Sequence, residues 1–300
     1  MGKLRVWVWA AVASLAAGCA TSSSDPLSGA TPPVTAGDEA VDAPTTAAPA
    51  SRLPAPDADP WVAKNCIEGM PILSSDLQAG IRVIRRRGYV LAHSSTRRVP
   101  LWVSEGIPRD QLDGPAERRN NFRVDPELPD GERSRDSDYT GSGFDRGHQA
   151  PAEDFTLDQD LMDESFFFSN MAPQVGVGFN RHVWADLEAW ARDVVRKRGI
   201  AWVITGPLFL DAEGRTIGAG GVAVPSHFYK VVVTRDDGGA LQAIAFVFEN
   251  RAHSADERRD LAQFVLAIDW IEEKGGLDVM PLLDAADEER LERRAAEMWN

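Results

Sequence analysis

Three short motifs in the middle of the chain hold side chains that could act together on a phosphate ester. The first is Asp145–His148, which reads Asp-Arg-Gly-His. The imidazole of His148 has an ordinary pKa of about 6.5, so it can accept a proton from water near neutral pH. The guanidinium of Arg146 offers a planar set of donors to phosphate oxygens, and Gly147 would let a bulky phosphate approach the backbone. The motif therefore predicts a general base beside a phosphate-binding group.

Two asparagines and a glutamate farther along the chain could hold a metal ion. Asn170 ends an apolar run, and Asn180 opens a helical pattern that contains Glu188. Amide and carboxylate oxygens suit Mg²⁺, and Mn²⁺ could occupy the same oxygen site. Eight residues of helix rise about 12 Å and rotate by about 80°, so Asn180 and Glu188 cannot both bind one ion directly from a regular helix. We expect Asn180 to be the direct ligand and Glu188 to act through water on the metal.

The order of these motifs resembles that of a known family. The chain reads DRGH at 145–148, SN-x-x-PQ at 169–174 and N-x3-W-x2-LE at 180–188. Together they resemble the DNA/RNA non-specific endonucleases, over roughly residues 62–283. The resemblance implies a ββα-metal finger and hydrolysis of DNA and RNA that leaves 5′-phosphate ends. It also implies that His148 is the general base and that Asn180 is the metal ligand, and we expect Asn170 to position the site.

An arginine-rich segment before the first motif is a further source of phosphate contacts. The segment at 117–126 is similar to the family segment that directs an arginine to the scissile phosphate. Arg119, three residues before Phe122, is the best match, whereas Arg118 and Arg123 remain alternatives. A solvated arginine cluster without a catalytic role also remains open.

Outside these motifs, the sequence predicts strands that alternate with a few long helices. Apolar runs predict strands at 89–93, 99–104, 200–207, 227–233 and 241–249, and helical periodicity predicts helices at 181–198, 254–275 and 284–294. The pattern predicts an α+β fold in which a central, mainly antiparallel sheet is flanked by helices. The resemblance adds a ββα-metal finger as the active site.

The overall charge argues against a tight, processive nucleic-acid binder. The chain has a formal net charge of −14 at pH 7, and nucleic acid is also anionic. However, residues 82–146 hold 13 arginines against 11 acidic residues, so the excess acid lies mostly in the second half. A local arginine-lined cleft can still bind phosphate, because electrostatic screening acts over about 10 Å at ordinary salt. We expect modest affinity and weak long-range steering.

The first 60 residues carry separate patterns. Basic residues and a short apolar stretch predict a lipoprotein signal segment at 1–18, with Cys19 as the lipidated residue. Residues 19–60 are rich in Ala, Pro, Thr and Ser, which predicts a disordered tether. The endonuclease domain would then occupy residues 61–300. These patterns predict an exported lipoprotein that is anchored to a membrane, the outer membrane where there is one, and faces the periplasm or the exterior.

Two other functions fit parts of the sequence. One is a surface nucleic-acid-binding lipoprotein with little or no catalysis, which would need the tether but not the catalytic residue types. Binding of DNA or RNA in a gel shift without any cleavage product would favour it. The other is a zinc hydrolase, but the five histidines of the chain show no HExxH spacing.

Overall fold

Thirteen strands are present in the residues that the computed structural model describes, 59–211 and 214–299. They are β1 (Ile72–Leu73), β2 (Ile81–Arg85), β3 (Val90–Ser94), β4 (Val99–Pro108), β5 (Asp145–His148), β6 (Met171–Gln174), β7 (Ile200–Leu208), β8 (Thr216–Ile217), β9 (Val222–Ala223), β10 (His227–Arg235), β11 (Leu241–Glu249), β12 (Val265–Leu266) and β13 (Leu277–Asp278). Seven of them form a central sheet in the order β12-β11-β10-β7-β4-β3-β2. Every neighbouring pair in this sheet is antiparallel, which confirms the predicted architecture.

The long strands lie where the apolar runs predicted them. The hairpin of β3 and β4 pairs Val90 with Ser104, with a register shift between Ala92 and His93. The strands β7, β10 and β11 are each nine residues long. Because β7 pairs with both β4 and β10, it joins the two halves of the sheet.

The helices of the same described range are α1 (Pro60–Asn65), α2 (Asp136–Tyr139), α3 (Gln159–Glu164), α4 (Ala185–Arg198), α5 (Ile268–Gly275) and α6 (Ala285–Leu291). The helix α1 begins with proline directly after Asp59, whose carboxylate accepts hydrogen bonds from the first free backbone N–H groups. Pro60 is therefore structured, at the end of the predicted tether. The predicted signal segment, Cys19 and residues 19–58 lie outside the described residues.

The predicted helix at 254–275 is wrong over its first half. The capping hydrogen bonds between Ser254 and Glu257 do form, but they close only a short 3-10 turn, Glu257–Arg259. Asp260 then adopts an extended backbone and caps a second short turn. Regular helix begins only at Ile268, after β12 has paired with β11. The pairing of β12 with β11 therefore prevents the continuous helix that the capping residues Ser254 and Glu257 predict.

The two faces of the sheet carry different apolar clusters. Along β10, Phe228 and Val232 belong to the cluster that contains residues of α4. Tyr229, Val231 and Val233 belong to the opposite cluster, with residues of α1 and α5. Since strand side chains alternate between faces, Lys230 lies on the face of Phe228 and Val232. Lys230 is thus buried beneath α4.

None of the helices in the described ranges is long and apolar enough to cross a membrane. All of the described residues fall within one compact unit.

Candidate active site

Two short strands and one helix position the three sequence motifs. The strand β5 pairs antiparallel with β6, so His148 lies opposite Met171 and Asp145 lies opposite Gln174. A nine-residue segment, Gly176–Trp184, follows β6 and leads directly into α4; its backbone departs from helical angles at Val177 and Gly178. This β5–β6–α4 unit is the predicted ββα arrangement. Gly147 allows β5 and β6 to pack closely, since a Cβ at this position would lie only 2.2 Å from Oε1 of Gln174.

His148 is held in an aromatic pocket. Its ring lies edge-on to Phe166, with 4.9 Å between ring centroids, and is tilted against Phe122 at 5.6 Å. Burial, followed by the positive charge of Arg118, lowers the pKa of His148 to about 3. The imidazole is therefore neutral at pH 7, which is the form that can accept a proton. Its Nε2 has no hydrogen-bond partner among the described residues.

Asp145 fixes the orientation of the Asn180 side chain. The Nδ2 of Asn180 donates to Oδ2 of Asp145 at 2.9 Å, and Arg181 donates to both oxygens of the same carboxylate at 2.6 and 2.7 Å. Burial alone would raise the pKa of Asp145, but the hydrogen bonds from Arg181 and Asn180 hold it below its ordinary value. An ionised carboxylate only accepts hydrogen bonds. The amide nitrogen must therefore face Asp145, which leaves Oδ1 of Asn180 on the other side.

An open cavity of about 330 Å³ collects most of the predicted site residues. Its lining residues are Arg118, Arg146, His148, Pro151, Glu153, Asn180, Ala185, Glu188 and Arg192. Four of the predicted site residues are therefore brought together: Arg146, His148, Asn180 and Glu188. Two others, Arg119 and Asn170, do not line this cavity.

Arg118, and not Arg119, is the arginine of the 117–126 segment that reaches the cavity. Its guanidinium lies 5.1 Å from the centroid of Phe166, the ring that also packs against His148. Arg119 is exposed and points to Asp163 at 3.4 Å. The choice of Arg119 over its neighbour is thus corrected, because the segment here has no helix or strand that would define which side chain faces inward.

The third candidate of that segment, Arg123, is also occupied elsewhere. Its guanidinium lies 4.0 Å from the centroid of Phe167, and its Nη1 donates to the backbone carbonyl oxygens of Asn121 and Asp163. Arg123 therefore ties the segment to the protein and does not face the cavity.

Arg146 is held in place at the cavity wall. Its Nε donates to Oδ1 of Asp136 at 2.8 Å, and its Nη2 donates to Oγ1 of Thr140 at 3.1 Å. Its guanidinium also lies 5.6 Å from the centroid of Phe122. These contacts restrict the side chain before any ligand arrives.

Asn170 has a supporting position. Its Oδ1 accepts from the backbone N–H of Ala150 at 3.0 Å, and its Nδ2 donates to the carbonyl oxygens of Ala150 and Ser165 at 2.8 Å each. The side chain is fully buried. Since both ends of the amide are engaged by backbone, Asn170 is not a free metal ligand. It instead fixes the chain two residues after His148.

Glu188 lies above a buried cluster of charges. Burial raises its pKa to about 7, against the attraction of Lys230 and Arg192. Lys230 is 1% exposed, and its Nζ donates to Oγ1 of Thr205 at 2.7 Å. Arg192 forms an ion pair with Asp154 at 2.9 Å. The carboxylate of Glu188 is therefore set between two cations.

Sequence reasoning missed Arg192, Glu153 and Asp145 as parts of this site. Arg192 lies within the predicted helix at 181–198 and was assigned no role in the site from the sequence, yet it lines the cavity. Its spacing of four residues from Glu188 was the available signal, because positions i and i+4 share a helix face. No comparable signal marked Glu153, which comes from a 3-10 turn, Ala152–Phe155.

The ββα unit, the cavity with an imidazole and oxygen donors, and the arginines define a metal-dependent nuclease site. Residues 70–286 match the family model described as DNA/RNA non-specific endonuclease. The chain therefore belongs to the DNA/RNA non-specific endonuclease family, whose members are metal-dependent nucleases, and it is a hydrolytic DNA/RNA endonuclease.

Individual relatives agree with this assignment. Nuclease C1 of Cunninghamella echinulata var. echinulata is 39% identical over 214 residues, which cover 68% of this chain and 84% of that protein. Human mitochondrial endonuclease G is 38% identical over 206 residues, 65% of this chain and 68% of that protein. A chain from the crystal structure of the EndoG/EndoGI complex superposes with a TM-score of 0.67 at 34% identity, covering 72% of this chain and 90% of its own.

The predicted localisation is wrong. Among these relatives are mitochondrial nucleases of human, fission yeast, budding yeast and worm, together with fungal nucleases, and not outer-membrane lipoproteins. The prediction depended on residues 1–18 and Cys19, which lie outside both the described residues and the matched range. A few basic residues before a short apolar stretch form a short pattern of low specificity.

Proposed function

We propose that this endonuclease hydrolyses phosphodiester bonds of both DNA and RNA with Mg²⁺, uses His148 as the general base, and leaves 5′-phosphate ends. The observation that carries the proposal is the shared cavity of His148 and Asn180. A base and a metal ligand from separate elements face one space that a phosphate can enter. Mn²⁺ is a possible replacement for Mg²⁺, since both accept oxygen ligands.

The imidazole of His148 would take a proton from the attacking water. Its low pKa keeps it uncharged before the reaction, and an entering phosphate would partly offset the repulsion from Arg118. The packing against Phe122 and Phe166 holds the ring plane. His148 thus needs little reorganisation to act as a base.

Arg118 and Arg146 would bind the phosphate oxygens. Both line the cavity, and both already lie against aromatic rings or acceptors that limit their motion. Guanidinium groups match phosphate geometry with two parallel N–H donors. Because phosphate contacts carry no direct sequence information, this arrangement supports cleavage without sequence or sugar preference.

The donor set at the cavity fits a hard divalent cation. The amide nitrogen of Asn180 is engaged by Asp145, which leaves its oxygen as a ligand, and Glu188 adds a carboxylate to the same cavity. Asn180 would hold the ion directly, and Glu188 would act on it indirectly. When bound, the cation supplies positive charge that stabilises the phosphate and the leaving oxygen.

Cleavage of plasmid DNA and of RNA by the purified chain tests the proposal. We expect cleavage with Mg²⁺ and none with EDTA. His148→Ala should lower the rate by about 10²–10⁴-fold. If the alanine variant keeps the rate of the unaltered chain, His148 is not the base. If both nucleic acids are bound but never cut under any divalent ion, the proposed reaction fails.

Two adjacent arginines provide a matched pair for the phosphate contact. Arg118→Ala should lower the rate by about 10²-fold, whereas Arg119→Ala should leave it within about threefold, because its side chain is exposed and points to Asp163. Equal effects of the two substitutions would contradict the assignment of Arg118.

A further inference from the structure

A second group of carboxylates converges far from the active-site residues in sequence, where the last helix meets α5. Asp269 and Glu272 come from α5, and Glu292 directly follows α6. Each offers one carboxylate oxygen, and these three oxygens all lie within 4.8 Å of one another. The backbone joins the same elements, because the N–H of Asp269 donates to the carbonyl oxygen of Glu292 at 3.1 Å.

Glu292 is the buried member of this group. It is 3% exposed, and its Oε1 has no hydrogen-bond partner among the described residues. Burial, followed by repulsion from Glu272 and Asp278, raises its pKa to about 8. A buried carboxylate without a partner is unfavourable in its ionised form, because nothing replaces the water that it has lost. This position therefore lacks a positive group.

The surrounding side chains do not supply that positive group. No lysine or arginine of the described ranges forms an ion pair with Asp269, Glu272 or Glu292. Arg293 acts on Asp269 only at longer range, and it is already paired with Glu289 at the surface. A neutral contact is present instead: the backbone N–H of Val279 donates to Oε1 of Glu272 at 2.8 Å.

We propose that Asp269, Glu272 and Glu292 form a Ca²⁺ site that joins α5 to the C-terminal segment. Ca²⁺ binds oxygen at about 2.3–2.6 Å, so two ligands of one ion can lie up to about 5 Å apart. Mg²⁺ demands a near-ideal octahedron and keeps several waters, so it is seldom held by a dedicated set of protein ligands. The three carboxylates and their combined negative charge therefore favour Ca²⁺, with water completing its coordination.

The site is structural and separate from the cleavage reaction. It would tie the end of α6 to α5, whose Ile268 and Ile271 are buried in the sheet cluster opposite α4. The sequence alone predicts α6 only as a charged helix, yet Leu291 and Glu292 are buried. The proposed ion explains why a charged residue can be buried at this junction.

Thermal unfolding of the full chain in metal-free buffer, followed by CaCl₂ or MgCl₂ addition, tests the site. Ca²⁺ at about 100 times its Kd should raise the Tm of the unaltered chain by about 5–10 °C. Asn180→Ala, which alters the cleavage site, should show the same rise. Glu292→Gln should show no Ca²⁺-dependent rise. In metal-free buffer it should melt above the unaltered chain, because glutamine, unlike Glu292, does not favour the unfolded state by ionising there.

The outcomes separate the site from its alternatives. Absence of a Ca²⁺-dependent rise in the unaltered chain, or an equal rise in Glu292→Gln, overturns the proposal. A rise with Mg²⁺ as large as that with Ca²⁺ overturns the choice of ion. Glu292→Gln should keep the nuclease rate of the unaltered chain, so failure of the proposed cleavage mechanism would leave this test intact.

Discussion

Two carboxylate clusters in this molecule, each with at least one buried member, differ in what balances their charge. Beneath the cavity, Glu188 is accompanied by the buried carboxyl groups of Glu105 and Asp154, with Lys230 and Arg192 among them. At the C-terminal junction, Asp269, Glu272 and Glu292 meet without a lysine or arginine in ion-pair contact, within the part of the chain that the structure describes. One cluster is balanced by the protein itself, and the other requires a proton or a cation from solution.

Carboxylates in similar surroundings can therefore have different roles, depending on the charges beside them. Lys230 and Arg192 stabilise negative charge near Glu188, so this carboxylate keeps a pKa of about 7 despite burial. Glu292 is 3% exposed, and burial, followed by repulsion from Glu272 and Asp278, raises its pKa to about 8. Balanced charge fits the role proposed for Glu188 at neutral pH, whereas unbalanced charge fits the proposed binding of an ion at Glu292.

The largest expected effect is the loss of the internal cation. Lys230→Met would leave Glu188, Glu105 and Asp154 without a buried lysine, and we expect it to lower the free energy of unfolding by about 3–5 kcal/mol. Chemical denaturation measures this change. Arg259→Met is the control, since Arg259 forms an exposed ion pair with Asp256 that should contribute at most about 1 kcal/mol.

Addition of Glu105→Gln to the lysine variant should recover part of the lost stability, because one buried acid is then neutral. A loss below about 1 kcal/mol for Lys230→Met alone would show that the charge balance beneath α4 is not a stabilising feature.

Matched substitutions in the two clusters should separate function from structure. Glu188→Gln should lower the cleavage rate by about 10–100-fold, the usual range for a group that acts on a metal indirectly. Glu272→Gln makes the same chemical change at the other cluster and should leave the rate unchanged. Steady-state cleavage kinetics at saturating Mg²⁺ measure both. Equal losses would mean that the clusters are not functionally distinct.

The smallest effect is a pH dependence of stability in metal-free buffer. The carboxyl group of Glu292 has an ordinary pKa of 4.5 and a folded pKa of about 8. Since folding favours its protonated form, its contribution is complete below pH 4.5 and is lost as the pH rises to about 8. We expect a Tm decrease of a few degrees between pH 5 and 8.5, and a smaller decrease in Glu292→Gln.

Other charged groups at the junction also affect how the Tm depends on pH. The charged groups that face or act on the cluster are Asp269 and Glu272 of α5, Asp278 of β13, Glu288 of α6, and Arg293. Glu188 titrates in the same direction at the other cluster, so the difference between the two curves is the relevant quantity. Parallel curves would exclude Glu292 as the titrating group.

The fold could be predicted from the sequence where buried apolar residues recur at a regular spacing along the chain. The strand β11 lies at 241–249 as predicted, because its residues alternate between two apolar clusters. The predicted helix at 254–275 failed because its capping signal is local, while strand pairing at 265–266 depends on β11. Long-range pairing is not visible in a local pattern.

The site could be predicted where residue type determines chemistry. His148, Asn180 and Glu188 were identified from motifs and do line one cavity. The choice between Arg118 and Arg119 could not be made, since adjacent positions in an irregular segment have no defined facing side. The junction of Asp269 with Glu292 was also invisible, because it depends on how the C-terminal segment docks.

The hydrogen bond between Asp145 and Asn180 also determines which end of the Asn180 amide is turned away from Asp145. A primary amide is nearly symmetric in shape, so a pocket that only fits its outline would accept it in either of two orientations. One orientation offers oxygen to a cation, and the other offers hydrogens that repel it. Asp145 distinguishes the two by its charge. A strand residue next to Arg146 thereby ensures that every folded copy of the enzyme presents the same end of the amide.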